Sequence, residues 1–120
     1  MLLVKEFEFD SAHFLPKYKG KCESLHGHTY KLVVKLKGFP ARDGMIMDFA
    51  ELKNTVAEKV VDRLDHTCLN EILPQPSAEN VAVWIWDALA DALRRGNCAL
   101  YELELWETRT SGVVYRGEPL

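Results

Sequence analysis

The stretch Cys22-Glu23-Ser24-Leu25-His26-Gly27-His28, with the alternating run that follows it at residues 29–37, decides the fold. Successive side chains of a β-strand point to opposite faces, so His26 and His28 share one face. Four large apolar side chains of the run fall on that same face, Tyr30, Leu32, Val34 and Leu36, and the lysines fall on the other. The pattern predicts a strand with one face in the core and a pair of imidazoles at the end of that face.

A third imidazole is available at His13, which ends an earlier strand-like run and shares a side with Phe9 and Ser11. Three neutral imidazoles are the ligand set of a catalytic zinc that keeps its fourth position open for water or substrate. Cys22 then places a thiol beside the metal. The pattern equally allows a closed structural zinc site, without catalytic chemistry, in which Cys22 is the fourth ligand.

Composition limits the class of protein. A chain of 120 residues fits one domain, 1–120, and its formal net charge of -3 offers no basic surface for nucleic acid. No apolar run approaches the ~20 residues of a membrane span, and Lys5 comes too early for a signal peptide. The three cysteines, Cys22, Cys68 and Cys98, show no paired spacing. Their pattern favours a reducing cytoplasm over a disulfide framework.

Periodicity divides the rest of the chain into strands and helices. Residues 2–9 read as a strand that pairs antiparallel with the strand after the histidines. Apolar residues recur every three or four positions over 48–64 and again from Ser77 to a stop at Gly96, which predicts two amphipathic helices. The loop between the first strands carries Lys17, Lys19 and Lys21, which suit either solvation or an anionic substrate tail.

The period returns to two near the C-terminus. Tyr101, Leu103 and Leu105 are predicted to share a face, and Glu107 continues that stripe. A carboxylate on an apolar face is unfavourable unless a partner neutralises it. The alternative is that Glu107 lies beyond the strand in solvent. A short last strand is predicted at 113–116.

This order of elements predicts an α+β domain, with a four-stranded antiparallel sheet covered on one face by two helices. Such a sheet leaves two edges whose backbone groups need partners. We therefore expect a homo-oligomer.

Motifs spread over nearly the whole chain resemble the 6-pyruvoyl-tetrahydropterin synthase superfamily, and most of all its bacterial 6-carboxy-tetrahydropterin synthase branch of queuosine biosynthesis. They are Cys22-x-x-x-His26-Gly27-His28, Phe9-Asp10-Ser11-Ala12-His13, Met47-Asp48-Phe49-Ala50-Glu51-Leu52-Lys53, Leu64-Asp65-His66, Glu79-Asn80, Trp84-Ile85-Trp86, Glu107-Thr108 and Tyr115-Arg116-Gly117-Glu118. One departure is Pro76-Ser77, where the family usually has Pro-Thr.

The resemblance implies a tunnelling fold, in which the sheets of several subunits join into a barrel and two rings stack, most simply as a hexamer. It implies Zn2+ held by His13, His26 and His28, with Cys22 as the base. Asp65 and His66 become a catalytic pair from a neighbouring subunit. Glu107 becomes the anchor of the pterin ring, and Thr108 and Ser77 become further substrate contacts.

The implied reaction converts 7,8-dihydroneopterin triphosphate to 6-carboxy-5,6,7,8-tetrahydropterin, acetaldehyde and triphosphate. Other reactions on the same scaffold form 6-pyruvoyl-tetrahydropterin or trim the side chain to 6-hydroxymethyl-dihydropterin. The trimming branch places a glutamate three residues before its His-Gly-His, and Glu23 occupies that position beside Cys22. A non-enzymatic zinc protein is the remaining alternative, but it gives Asp65-His66 and Glu107 no role.

Overall fold

The structure, a computed structural model, describes residues 1–16 and 24–120. The predicted roles of Cys22 and Glu23, and of the lysines at 17, 19 and 21, fall outside these residues. The elements follow in chain order: β1 Leu2–His13, β2 His26–Gly38, α1 Phe49–Val56, a π-helix Ala57–Val61, α2 Asp62–Leu64, β3 Thr67–Cys68, a 3-10 helix Leu69–Glu71, α3 Ala78–Leu89, β4 Cys98–Trp106 and β5 Gly112–Tyr115.

Strands β1 and β2 form the long antiparallel pair that the sequence predicts. Both extend further than their apolar runs, because β1 continues to His13 and β2 begins at His26. The register places His13 opposite His26 and Ser11 opposite His28. Pairing therefore brings the distant His13 to the same end of the sheet as the other two imidazoles.

The prediction of a four-stranded, wholly antiparallel sheet is wrong in one respect. The sheet has five strands in the order β3-β1-β2-β4-β5, and β3 pairs with β1 in parallel, at Ser11 and Ala12. A strand of two residues is too short to show alternation, which is the signal that sequence analysis uses. The addition of β3 ties Asp65 and His66, which precede it, to the histidine end of β1.

The first predicted helix is confirmed as one continuous helical segment. Asp48 caps it, with its Oδ1 accepting the Ala50 N–H at 2.7 Å. The segment passes through the π-helix before it ends at Leu64. Its inward side chains are buried, among them Leu52, Val56, Val60 and Leu64.

The second predicted helix is shorter than expected. Ser77 is its N-cap, and α3 ends at Leu89 instead of continuing to Gly96. It packs on β4 and β5, while α1 packs on β1, so the helices cover one face of the sheet. No helix among the described residues is long and apolar enough to cross a membrane.

A β-bulge corrects the predicted face of one strand. Leu36 pairs with Leu100 and Lys35 with Glu102, so Tyr101 is an extra residue in β4. The ring of Tyr101 lies 5.1 Å from Lys37 Nζ, on the lysine face. The prediction that Tyr101 shares a face with Leu103 and Leu105 is therefore wrong, although both leucines are fully buried as expected.

The sheet face opposite the helices is charged. Lys35 Nζ lies 2.5 Å from Glu102 and 2.7 Å from Glu104, and Arg116 Nε lies 2.9 Å from Glu102. Glu102 is only 6% exposed, so two cations neutralise a carboxylate that has little contact with water. The hydrogen bond from Lys35 lowers the pKa of Glu102 below its ordinary value.

Candidate active site

The three imidazoles predicted as metal ligands converge at the end of the β1–β2 pair. The Nε2 atoms of His13 and His26 lie 3.1 Å apart. Glu107 joins them, with its Oε1 3.0 Å from His13 Nε2 and 2.8 Å from His28 Nε2. The ligand atoms of all four side chains lie within 4.8 Å of one another. Strand pairing thus gathers residues that are up to 94 positions apart in the sequence.

Backbone carbonyls orient two of these rings. His13 Nδ1 lies 2.8 Å from the Pro76 carbonyl oxygen, and His26 Nδ1 lies 2.8 Å from the Ser24 carbonyl oxygen. A carbonyl can only accept, so both Nδ1 atoms donate, and in the neutral rings both Nε2 atoms carry lone pairs. Metal-ligating histidines commonly have such a second hydrogen bond, which fixes the tautomer and the ring orientation.

The third ring, His28, has a buried Nε2 atom, and its contact with Glu107 Oε1 at 2.8 Å does not have the geometry of a hydrogen bond. Burial lowers the pKa of His28, and the nearby Glu107 carboxylate opposes this effect. The neutral ring is the form that binds a metal. The lone pairs of His13 and His26 face each other and the Glu107 carboxylate, an arrangement that fits a cation, and the set of nitrogen and oxygen atoms suits zinc.

Glu107 reaches this cluster because the chain turns directly after β4. The Glu107 N–H donates to the Ser111 carbonyl oxygen at 2.9 Å, and the Thr108 N–H approaches the same oxygen at 3.3 Å. The turn holds the Glu107 side chain toward the histidines, and that side chain is 27% exposed. The alternative of a solvated strand end is therefore wrong.

Asp65 and His66 form a second cluster, held against β1. His66 Nδ1 lies 3.0 Å from Asp65 Oδ2, while Asp65 Oδ1 accepts the Asp10 N–H at 2.8 Å. This backbone hydrogen bond is the main cause of the lowered pKa of Asp65. The His66 N–H donates to the Asp10 carbonyl oxygen, and His66 has a φ of 56°. Asp10 was not singled out from the sequence as a site residue, although it lies in the Phe9–His13 motif.

An open cavity of about 520 Å3 is lined by residues of the neighbouring strands β1, β2 and β3, and both His28 and His66 contribute to its walls. The two clusters remain distinct: the side chain of His66 groups with Asp10 and Asp65, and not with the other three histidines. The side chain of His66 is 80% exposed. It is therefore accessible to a molecule, or to a neighbouring subunit, that approaches from outside the chain.

Tyr30 was not recognised from the sequence as a site residue, because its ring fits the apolar face of β2. It is fully buried, and its ring stacks on Phe9 at 5.0 Å and meets His28 edge-on at 5.6 Å. Its hydroxyl has no hydrogen-bond partner among the described residues. Burial raises the pKa of this hydroxyl well above its ordinary value.

The two remaining predicted site residues occupy structural positions. The Ser77 hydroxyl accepts the Asn80 N–H at 3.2 Å and so caps α3. The Thr108 hydroxyl accepts the Thr110 N–H at 3.3 Å. Thr108 also lines a second cavity of about 460 Å3, whose wall includes Lys31 and Arg109.

Known proteins match this chain over almost its whole length. The model of the family described as 6-pyruvoyl tetrahydropterin synthase matches residues 2–118. A 6-pyruvoyl tetrahydrobiopterin synthase of Dictyostelium discoideum is 38% identical, over 98% of this chain and 97% of its own. A 6-carboxy-5,6,7,8-tetrahydropterin synthase of Synechocystis sp. is 39% identical, over 95% of this chain and 92% of its own.

A solved structure shares the architecture. The 6-pyruvoyl tetrahydropterin synthase of Caenorhabditis elegans superposes with a TM-score of 0.84 at 26% identity, covering 98% of this chain and 96% of its own. The expected tunnelling fold of the subunit is therefore confirmed. With this fold, this histidine cluster and the match over residues 2–118, the chain belongs to the 6-pyruvoyl tetrahydropterin synthase family.

Proposed function

We propose that this protein is a zinc-dependent 6-carboxy-tetrahydropterin synthase, a carbon-carbon lyase that acts on 7,8-dihydroneopterin triphosphate. The observation that most directly supports this proposal is that the side-chain nitrogens of His13, His26 and His28 converge. Backbone carbonyls set the tautomers of two of the rings, His13 and His26. The products are 6-carboxy-5,6,7,8-tetrahydropterin, acetaldehyde and triphosphate. This reaction belongs to the pathway to queuosine, and we place the enzyme in the cytoplasm.

The metal is held by His13, His26 and His28. When bound, zinc supplies a Lewis acid that lowers the pKa of an oxygen acid by several units. The chain supplies the orientation: the Pro76 and Ser24 carbonyls keep the first two rings in their binding tautomers. His13 is only 1% exposed, so the cluster is anchored on its inner side in the core.

Proton transfer is assigned to groups on two sides of the substrate. Cys22, as a thiolate favoured by the nearby cation, removes a proton from a carbon of the side chain. His66 returns a proton on the other side, and the Asp65 carboxylate orients its ring through the contact at 3.0 Å. Because His66 is exposed and groups apart from the ligand histidines, we place this pair in the active site of a neighbouring subunit.

Recognition of the pterin ring is assigned to Glu107. A carboxylate can accept two parallel hydrogen bonds from a guanidine-like edge, and the pterin ring presents such an edge. Thr108 and Ser77 are further proposed contacts, through hydroxyls that the structure shows accepting backbone N–H groups. The β3 and β5 edges of the sheet are proposed to join between subunits in a homohexamer.

The choice among pterin reactions rests on residues and not on overall similarity. The Dictyostelium and Synechocystis relatives carry names for two different reactions at 38% and 39% identity. Cys22 occupies the position of the base in the carboxy-tetrahydropterin branch. Glu23 favours a second candidate function, the trimming of the substrate side chain to 6-hydroxymethyl-dihydropterin, which we assign at most as a side activity.

The test is to incubate the purified protein with zinc and 7,8-dihydroneopterin triphosphate and to identify the pterin and the aldehyde by mass spectrometry. We expect 6-carboxy-5,6,7,8-tetrahydropterin with an equal amount of acetaldehyde. A 6-pyruvoyl or 6-hydroxymethyl pterin as the main product would assign the chain to another reaction of the family. Unchanged substrate would favour a non-enzymatic zinc protein.

A further inference from the structure

The carboxylate of Glu107 lies against the imidazole cluster. Its Oε1 atom is 3.0 Å from His13 Nε2 and 2.8 Å from His28 Nε2, while His13 Nε2 and His26 Nε2 are 3.1 Å apart. The four ligand atoms therefore form a small cluster in which each lies within 4.8 Å of the others. Contacts this short to two imidazoles go beyond what recognition of a pterin ring requires.

These separations are close to those of atoms that share one ion. Zinc lies about 2.0–2.2 Å from nitrogen and oxygen ligands, so the ligands of a tetrahedral site lie about 3.4 Å from one another. The observed contacts are a few tenths of an ångström shorter, and a modest outward shift of the side chains accommodates the ion. Three imidazoles and one carboxylate complete a four-coordinate set.

The charges support the same arrangement. The Pro76 and Ser24 carbonyls require Nδ1–H donors, which leaves lone pairs on the Nε2 atoms of His13 and His26. An ionised carboxylate only accepts, so these groups repel one another unless a cation lies between them.

We infer that Glu107 is the fourth ligand of the metal in the substrate-free enzyme, and that it leaves the metal when the pterin ring binds. The second half rests on the proposed function, in which the same carboxylate accepts two hydrogen bonds from the pterin edge. A bidentate contact uses both oxygens of the carboxylate, so one carboxylate cannot serve ring and metal fully at the same time. The metal therefore offers an open position only when a ring is bound.

This assignment replaces the closed structural site considered from the sequence, in which Cys22 is the fourth ligand. A carboxylate ligand is exchanged more readily than a thiolate, and its departure is coupled to ring recognition. Only substrates with a pterin edge then gain access to the metal. The cysteine remains available for proton transfer.

The first experiment replaces zinc by Co2+ in the absence of any pterin and records the visible spectrum, whose bands report coordination. We expect Glu107→Gln to change these bands and to lower zinc affinity at least about tenfold in chelator competition. Glu104→Gln, a carboxylate change on the same segment but on the charged face, should leave both unchanged. Wild-type bands and wild-type zinc affinity in Glu107→Gln would overturn the inference.

Two further measurements test whether the change in the bands comes from the carboxylate itself. In Glu107→Ala, added acetate should restore the wild-type bands, which shows that the loss concerns the carboxylate and not the fold. Cys22→Ala should also keep those bands. The loss in Cys22→Ala of a near-ultraviolet band of thiolate-to-cobalt charge transfer would show that the cysteine is the fourth ligand and would overturn the inference.

The second experiment titrates the wild-type Co2+ protein with a pterin that lacks the side chain at C6, which has no side-chain hydroxyl to offer the metal. We expect the visible bands to shift toward those of Glu107→Gln as the ring binds, with binding followed independently by pterin fluorescence. Binding of the pterin without any shift of the visible bands would show that Glu107 does not leave the metal, and would overturn the second half of the inference. If no pterin binds while the bands still depend on Glu107, the ligand assignment stands and the proposed function fails.

Discussion

The Nε2 atoms of His13 and His26 lie 3.1 Å apart, while the other nitrogen of each ring donates to a backbone carbonyl. Two lone pairs facing each other at this distance repel, and the protein holds them there through the register of β1 and β2. A cation bound between the two lone pairs would replace this repulsion by attraction and so stabilise the folded protein. The metal site is thus prepared by the strands, and its loss should leave the fold intact.

The first prediction concerns metal content. We expect about one zinc per chain in the purified protein, because structural and catalytic zinc sites of this donor set bind a single ion. His13→Ala, His26→Ala and His28→Ala should each lose the metal while keeping their circular dichroism. His66→Ala is the matched control and should keep its zinc, since His66 belongs to the separate cluster with Asp10 and Asp65. Stoichiometric zinc in His13→Ala would remove it from the ligand set.

The alternation of β2 made much of this site predictable from the sequence. It placed His26 and His28 on one face, and the expected antiparallel pairing brought His13 to them. The capping side chains of Asp48 and Ser77 also indicated where their helices begin. These features depend on local periodicity or on side-chain chemistry, which a sequence displays directly.

Other features depend on long-range geometry that leaves no periodic signal. Two residues of β3 carry no pattern, and the bulge at Tyr101 shifts β4 by one residue without any glycine or proline to mark it. Alternation placed Glu107 on the apolar stripe, but its contact with His28 forms just beyond the end of β4, and the turn that holds it there was not predicted. For the same reason, the pairing of Asp65 with the Asp10 N–H was not foreseen.

The second prediction concerns the pH dependence of stability. The pKa of Glu102 is lowered by its hydrogen bond from Lys35 and then by that from Arg116. A carboxyl whose folded-state pKa is lowered adds stability above its unfolded pKa of ~4.3, and this stability is lost as the pH falls through the folded-state value. Glu102→Gln should therefore destabilise the protein by about 1 to 3 kcal/mol at pH 7, and the difference should shrink below about pH 4.

Urea denaturation at several pH values measures this effect. Glu6→Gln is the control, because its pair with Lys31 at 3.2 Å is solvent-exposed and should be worth less than about 1 kcal/mol. A Glu102→Gln penalty that stays constant down to pH 3 would show that packing, and not the ionised carboxylate, stabilises this position.

The third prediction concerns the buried hydroxyl of Tyr30. Among the described residues it has no hydrogen-bond partner, so its removal from the core costs no interaction. Tyr30→Phe should leave the free energy of unfolding unchanged or raise it by up to about 2 kcal/mol. Thermal and chemical denaturation with and without zinc measure the change. A loss of more than about 1 kcal/mol would show that the hydroxyl has a partner in the folded protein.

The fourth prediction concerns site sharing between subunits. Cys22→Ala and His66→Ala should each be inactive, and mixing them under conditions of subunit exchange should restore activity. If each site combines Cys22 of one subunit with His66 of another, about a quarter of the sites in an equal mixture are intact. Activity measured against the mixing ratio tests this, with each variant alone as control. A fully active monomer in sedimentation would contradict site sharing.

The last prediction separates the two neighbouring candidates for the base, Cys22 and Glu23. Both precede the His-Gly-His motif. On an extended strand they would face opposite sides, whereas a loop before the strand could turn either of them toward the metal. We assign this place to Cys22 because a thiolate near a cation is favoured and is a good base for a carbon-bound proton. Cys22→Ala should abolish 6-carboxy-tetrahydropterin formation, while Glu23→Ala should keep it and remove any hydroxymethyl-dihydropterin. Mass spectrometry of both products in each variant measures the ratio of the two products, and Ser24→Ala is a neighbouring control expected to change neither, since the substitution keeps the backbone carbonyl that contacts His26. Loss of the carboxy product in Glu23→Ala together with its retention in Cys22→Ala would reverse the assignment and place the chain in the side-chain-trimming branch.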